Sequence, residues 1–227
     1  PLLARVCKMV RSILFVLAAL ASCACSYGSA VDIAPHKDRA ARAITADADY
    51  CEVTGQWAPF TVRSSKDCVP VRWNGSARVY AVSLDDGPQD TTDAKITTLG
   101  SGLYAAQIDV EDGPAPHQIH LLISSGDAFA LLRVLDDGEL RAMARRHPRI
   151  SFAADRGRPY VAAGSIKQVK AYLRDIAGEA LRTANAAGEL LSVGVADMGG
   201  TPDHAASKEQ AKDIEAVLRI ARKLTPD

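Results

Sequence analysis

Three acidic pairs recur through the middle of this chain, each followed by glycine: Asp85-Asp86-Gly87, Glu111-Asp112-Gly113 and Asp136-Asp137-Gly138. Carboxylates gathered in one place supply the oxygen ligands that calcium takes. None of the three loops has the ligand spacing of a calcium loop, and Asp-Gly is also good turn chemistry, so soluble turns are the plainer reading. His117 and His120 lie three apart; on a helix they share a face and a metal, on a strand they point to opposite faces. Cys51 and Cys68 lack Cys-x-x-Cys spacing, which favours a disulfide over a reactive thiol pair. Trp57 and Trp73 are weighed as ligand-stacking rings against core residues, and core is favoured. The chain has no Gly-x-Ser-x-Gly elbow, no His-Glu-x-x-His and no phosphate loop. A hydrolase would have to combine Asp85 and Asp86 with His120 or His147. Spacing alone assigns no catalytic residue, no metal ligand and no cofactor.

The elements that carry these turns read as antiparallel strands. Asn74-Gly75 separates two β-prone runs and predicts a tight hairpin, with both residues at positive φ in a type I′ turn. Strand-length pieces follow at 79–84, 94–99, 103–110, 118–123, 128–135 and 139–145. In 103–110, Tyr104, Ala106 and Ile108 alternate with Gln107 and Asp109. In 118–123, Ile119, Leu121 and Ile123 alternate with Gln118 and His120. Period two predicts one buried face and one partly wet face. Strand 128–135 is apolar on both faces except at Arg133 and is expected to be central. Short connections require antiparallel neighbours. The expectation is a curved meander bending towards a half-barrel, with the three acidic turns on one rim beside Asp90 and Asp93.

After Pro148 the pattern changes. Residues 150–153 and 160–163 read as a short strand pair. Ser165-Ile-Lys-Gln168 is a capping box, and apolar residues from Val169 to Leu181 recur at helical spacing, so a helix is expected over about 166–182. Residues 189–196 offer one more strand. A last helix starts at Thr201-Pro202 or at Ser207-x-x-Gln210. Its stripe of Ala211, Ile214, Val217, Leu218 and Ala221 is expected to pack on the sheet.

Residues 1–22 read as an export signal. Arg5, Lys8 and Arg11 precede an apolar run from Ile13 to Ala21, which is shorter than the roughly 20 residues a membrane span needs. Met9 would begin a compact version of it. The run ends in Leu20-Ala-Ser-Cys23, an aliphatic residue, two small ones and cysteine. This resembles the lipobox of bacterial lipoproteins. The resemblance implies cleavage before Cys23 and attachment of acyl chains such as palmitate there. Cys25 lacks the aliphatic residue three positions before it. Ala24 resembles an outer-membrane sorting signal. The resemblance covers only the signal, about a tenth of the chain. Residues 23–49 are expected to form a flexible tether, since they show no sustained apolar period.

Composition sets the remaining bounds. The signal holds three of the 27 basic residues and no acidic ones, so the chain from residue 23 carries 24 basic against 27 acidic residues, a net of −3. With no basic stripe read from it, nucleic-acid binding has no support. Export places Cys51 and Cys68 in an oxidising compartment, where a bridge would clip the first hairpin to the sheet. The sequence therefore predicts one α+β domain over 50–227: an antiparallel meander packed by two C-terminal amphipathic helices. It predicts a lipid-anchored cell-envelope protein, on the outer membrane facing the periplasm, with a non-enzymatic binding or structural role towards an envelope protein or apolar ligand. The alternatives are an envelope hydrolase and a calcium-stabilised module.

Overall fold

The alternating segments form strands that close on one another. The structure, a computed structural model, describes residues 26–39, 43–44, 47–54, 59–63, 68–83, 91–111, 113–155, 157–188, 191–197 and 204–225. In chain order the strands are β1 (Tyr27–Ser29), β2 (Ala48–Thr54), β3 (Thr61–Val62), β4 (Val69–Asn74), β5 (Val79–Ser83), β6 (Thr91–Gly100), β7 (Leu103–Asp109), β8 (His117–Ser125), β9 (Ala128–Leu131), β10 (Ser151–Asp155), β11 (Arg158–Ala163), β12 (Val193–Asp197) and β13 (His204–Ala205). The helices are α1 (Asp137–Arg145), α2 (Ile166–Ala186) and α3 (Lys208–Leu224). Strands β8, β7, β6, β5, β4, β2, β12 and β9 are neighbours in that order, and β9 pairs back onto β8. All of these pairings are antiparallel. The fold is α+β, and its meander goes beyond a half-barrel to a closed barrel of eight strands.

The barrel interior is a packed core. Each of the eight strands contributes to it, with Tyr50, Tyr80 and Phe129 set among Ala48, Ala94, Ala106 and Ala196. Eight strands leave an interior about wide enough for side chains to fill, and mixed large and small residues fit the taper. Tyr50 meets Phe129 edge to face at 4.9 Å. One end carries the β4–β5, β6–β7 and β8–β9 turns. There Ala43 and Ile44 join the interior core. Ser124 Oγ donates to Ala43 O at 2.6 Å, and Tyr80 Oη donates to Ile44 O at 3.2 Å.

The outer wall is covered too. The face of β8 with Ile119, Leu121 and Ile123 belongs to the core shared with the helices, along with Leu173 and Ile176 of α2 and Ile214 and Val217 of α3. Strand β8 is shared between two structures. Its second half pairs with β9, while its first half pairs with β1, with Tyr27 opposite Ile119. Strand β1 continues, in parallel, to β11, which pairs with β10. The packing at Gly28 is close at this junction: a Cβ there would lie 3.0 Å from Tyr160 Cβ and 3.1 Å from Ala115 Cβ, so these neighbours would have to give way.

Several sequence expectations change here. The polar face of β8 is dry at Gln118 and His120, and that of β7 is wet only at its end, where Asp109 stays exposed. Gln107 is fully buried under the N-terminal segment, and Gln118 and His120 point into the barrel beside Leu122. A barrel wall with a second layer outside it has two dry faces, so period two marks two cores. Residues 139–145 form α1, not a strand. Asp136 accepts from Glu139 N and the Glu139 side chain returns to Asp136 N, a capping box that starts a helix from the supposed turn. Strand β9 stops at Leu131, although it lies between two neighbours as expected. The β4–β5 connection is a four-residue turn in which Asn74 pairs with Val79. Arg78, not Asn74, takes the positive φ of 53°. Asn74 Oδ1 instead accepts from Ala77 N and Ser76 Oγ. The final helix begins from the Ser207–Gln210 capping box.

The largest correction concerns the tether expected over 23–49. Residues 26–39 form a strap across the outer wall of the barrel. They pair with β8 through Tyr27–Ser29, reach β7 through Ile33, and meet β6 where Thr97 Oγ1 donates to Asp38 O at 3.1 Å. They end at the β4–β5 turn, where Arg39 Nη1 donates to Ala77 O at 2.6 Å. Ile33 and Ala34 are fully buried. The apolar residues of the strap are too few to show a period, because they are buried by crossing strands rather than by forming an element.

Candidate functional site

The residues singled out for chemistry fall in separate places. Cys23, Trp57, Asp85, Asp86 and Asp112 lie outside the described residues. Cys51 and Cys68 are joined in a disulfide, with Cα atoms 4.5 Å apart. It ties β2 to the residue before β4. Trp73 is half-buried and packs on Tyr80 with ring centres 4.7 Å apart. Strand order brings the β5–β6 and β7–β8 connections and the exit from β9 to one end of the barrel. Glu111, Asp136 and Asp137 are exposed. Asp136 Oδ1 accepts from Glu139 N at 2.8 Å, so this carboxylate serves as a helix cap. Among the described residues no group of His, Cys, Asp and Glu is placed to hold a metal ion. His117 and His120 do take opposite faces of β8. His120 is inside the barrel, whereas His147 lies outside it, with Nε2 3.0 Å from Asp175 Oδ2 and its ring against Tyr172.

The densest polar cluster sits on the outer wall under the strap. Gln107 Oε1 accepts from Ile33 N at 2.9 Å, while Gln107 Nε2 donates to Asp32 Oδ1 at 2.9 Å and to Asp109 Oδ1 at 3.1 Å. His117 Nδ1 lies 2.9 Å from the same Asp109 oxygen, and Lys95 Nζ binds the other. Burial pushes the Asp109 carboxyl up, but the hydrogen bonds from Lys95, Gln107 and His117 outweigh it and hold the group below its ordinary value. A carboxylate with its oxygens taken by Lys95, Gln107 and His117 is a poor nucleophile and a poor base. The cluster fastens the strap. One sequence could not have revealed it, because Asp32 and Gln107 are 75 residues apart.

A second feature was legible and was missed. Residues 140–160 hold six arginines and one aspartate. Arg141, Arg145, Arg146 and Arg149 are exposed on α1 and the turn that follows it. Arg141 Nη2 donates to Gly157 O at 2.7 Å, which fixes α1 against the β10–β11 hairpin. Arg158 begins β11 opposite Asp155. The parallel register that sets Ser29 beside Val161 carries Ser26 to the level of Arg158. The strap therefore starts beside Arg158 at the turn end of the hairpin, whereas Arg149, two residues before Ser151, lies at its other end. A count of charge along the chain would have found this run; averaging over the domain, which is slightly acidic, concealed it.

No helix among the described residues is long and apolar enough to cross a membrane. No family model matches the chain, and no curated protein or solved structure is significantly similar to it.

Proposed function

We propose that the chain is a lipid-anchored protein of the bacterial cell envelope, held at the outer membrane through Cys23 and facing the periplasm, with a binding or structural role rather than a catalytic one. The observation that carries this reading is the junction between anchor and fold. Cys23, the cysteine of the Leu-Ala-Ser-Cys motif, stands three residues before Ser26, which is already buried. Three residues span at most about 11 Å. An anchor at Cys23 would hold the barrel against the membrane surface. Two further observations agree. The disulfide suits an oxidising compartment. The barrel interior is built from side chains of all eight strands, which favours recognition by the outer surface over carriage of an apolar ligand inside.

The test is membrane fractionation of the full chain expressed in a Gram-negative bacterium, beside Cys23→Ala. The anchored reading expects the parent chain in the outer-membrane fraction and the variant released to the soluble fraction. Equal distribution of the two chains would defeat it.

A further inference from the structure

We propose that two copies of this chain join through the free edge of β10, in antiparallel register, so that the sheet runs on from one molecule into the next. The inference does not rest on the lipid anchor. Strand β10 ends the strand order and pairs with β11 alone; no other described residue pairs with it. The direction of its backbone groups follows from β11. Val161 O accepts from Ala30 N at 2.7 Å, so the backbone groups of Val161 face β1. These groups alternate along a strand, so those of Arg158 and Tyr160 face β10. Their partners Asp155 and Ala153 therefore point inward, and the N–H and C=O of Phe152 and Ala154 point away from the sheet. Such a row is a template for another strand. The side chains leave it open: Ala154 is small and exposed, and Phe152 turns onto Tyr172, with ring centres 5.1 Å apart.

Charge decides the partner. Arg149 lies at one end of β10 and Asp155 at the other; both are exposed, and among the described residues neither forms an ion pair. The edge therefore has a positive end and a negative end. A parallel copy would set like charges together, whereas an antiparallel copy sets each beside its opposite. With Phe152 of one copy facing Ala154 of the other, every outward N–H and C=O of both residues finds a partner. Arg149 then lies diagonal to Asp155 of the second copy, within reach of a long side chain. The arrangement is isologous: each copy offers the same edge, and pairing leaves neither open. Pairing of strands only 5 residues long buries less than the roughly 1,200 Å² of a standard interface, so the dimer is a weak one that forms at high local concentration.

The test uses the chain from residue 23 onward with Cys23→Ala and Cys25→Ala, which retains every described element and has no free thiol to cross-link two copies. Sedimentation velocity over a concentration series gives the dimer constant. This parent chain is expected to pass from monomer to dimer as its concentration rises. Asp155→Arg and Arg149→Asp each turn two attractive contacts into repulsive ones, and each should weaken the dimer about tenfold or more. Mixed in equal amounts, the two variants offer each other a positive edge and a negative edge, and should associate about as tightly as the parent. Ala154→Pro removes an outward donor without touching the β10–β11 ladder, so it should abolish dimerisation while circular dichroism and the urea midpoint stay close to those of the parent. Should the proline variant not fold, the mixing experiment decides alone. A parent that stays monomeric at the highest concentration, a dimer that survives Ala154→Pro, or charge variants that associate no better mixed than alone would overturn the proposal.

Discussion

Replacing Gln107 by leucine should release the strap. The side chain is fully buried, and leucine nearly matches its volume, so little cavity arises. The polar loss is specific. Ile33 N loses its acceptor at 2.9 Å in a site water does not reach. An orphaned buried N–H costs about 1–3 kcal/mol. Asp32 and Asp109 lose one donor each, but the Asp109 side chain is 48% exposed and takes water instead, so that loss is small. The sum is about 2–4 kcal/mol against a usual domain stability of about 5–15 kcal/mol. If the strap opens locally, amide exchange at Ile33 and Ala34 should accelerate by roughly 30- to 1000-fold, since about 1.4 kcal/mol is a factor of ten. Hydrogen–deuterium exchange read peptide by peptide measures this, with urea unfolding for the global part. Gln107→Glu provides a second check. It keeps an acceptor for Ile33 N but sets a third carboxylate about 3 Å from two others, as the two donor distances show. It should loosen the strap at pH 7 and recover in acid, as the new carboxyl takes a proton. Exchange at Ile33 unchanged in both variants would refute the idea that this cluster fastens the strap.

Three further outcomes follow from single features. Cys51→Ser with Cys68→Ser opens a loop of 17 residues and should lower stability by about 3 kcal/mol by chain entropy, read as a lower urea midpoint. Gly126→Ala combines a φ of 56° with a Cβ that would lie 2.3 Å from Asp213 Oδ2, so it should cost about 1–3 kcal/mol, with part recovered when Asp213 is also changed to Ala. Asp109 is depressed in the folded state, so its contribution is present above its ordinary pKa and is lost as pH falls through the folded value; the stability gap between the parent and Asp109→Asn should shrink below about pH 4 in acid titrations of unfolding.

What could be read from the sequence was what is encoded locally. The capping boxes at Ser165–Gln168 and Ser207–Gln210 each need only four residues, and both start helices as expected. The box at Asp136–Glu139 is equally local, but Asp136-Asp137-Gly138 also fits the turn pattern of Asp85-Asp86-Gly87 and Glu111-Asp112-Gly113, which masks it. The strand pair around residues 155–158 and the disulfide were also legible. Barrel closure was not, because it depends on β12 pairing with β2 and β9, contacts made across most of the chain. The same limit hid the strap. Ile33 and Ala34 are a short apolar step in a polar segment, and only the wall they cross makes them buried. Gln118 and His120 misled for a related reason: their polarity suggested water, while the fold placed them inside the barrel. For the candidate site, the arginine run was visible in residues 140–160, whereas its spread from one end of the β10–β11 hairpin to the other required the register of β10 with β11.

The proposed anchor makes Cys23 the point where membrane and fold meet. The most direct measurement is the intact mass of the full-length gene product extracted from membranes in detergent. The anchor proposal predicts a chain that begins at Cys23 and carries the added mass of acyl chains, absent from Cys23→Ala. A mature chain of unmodified mass, or one cleaved at another position, would contradict it.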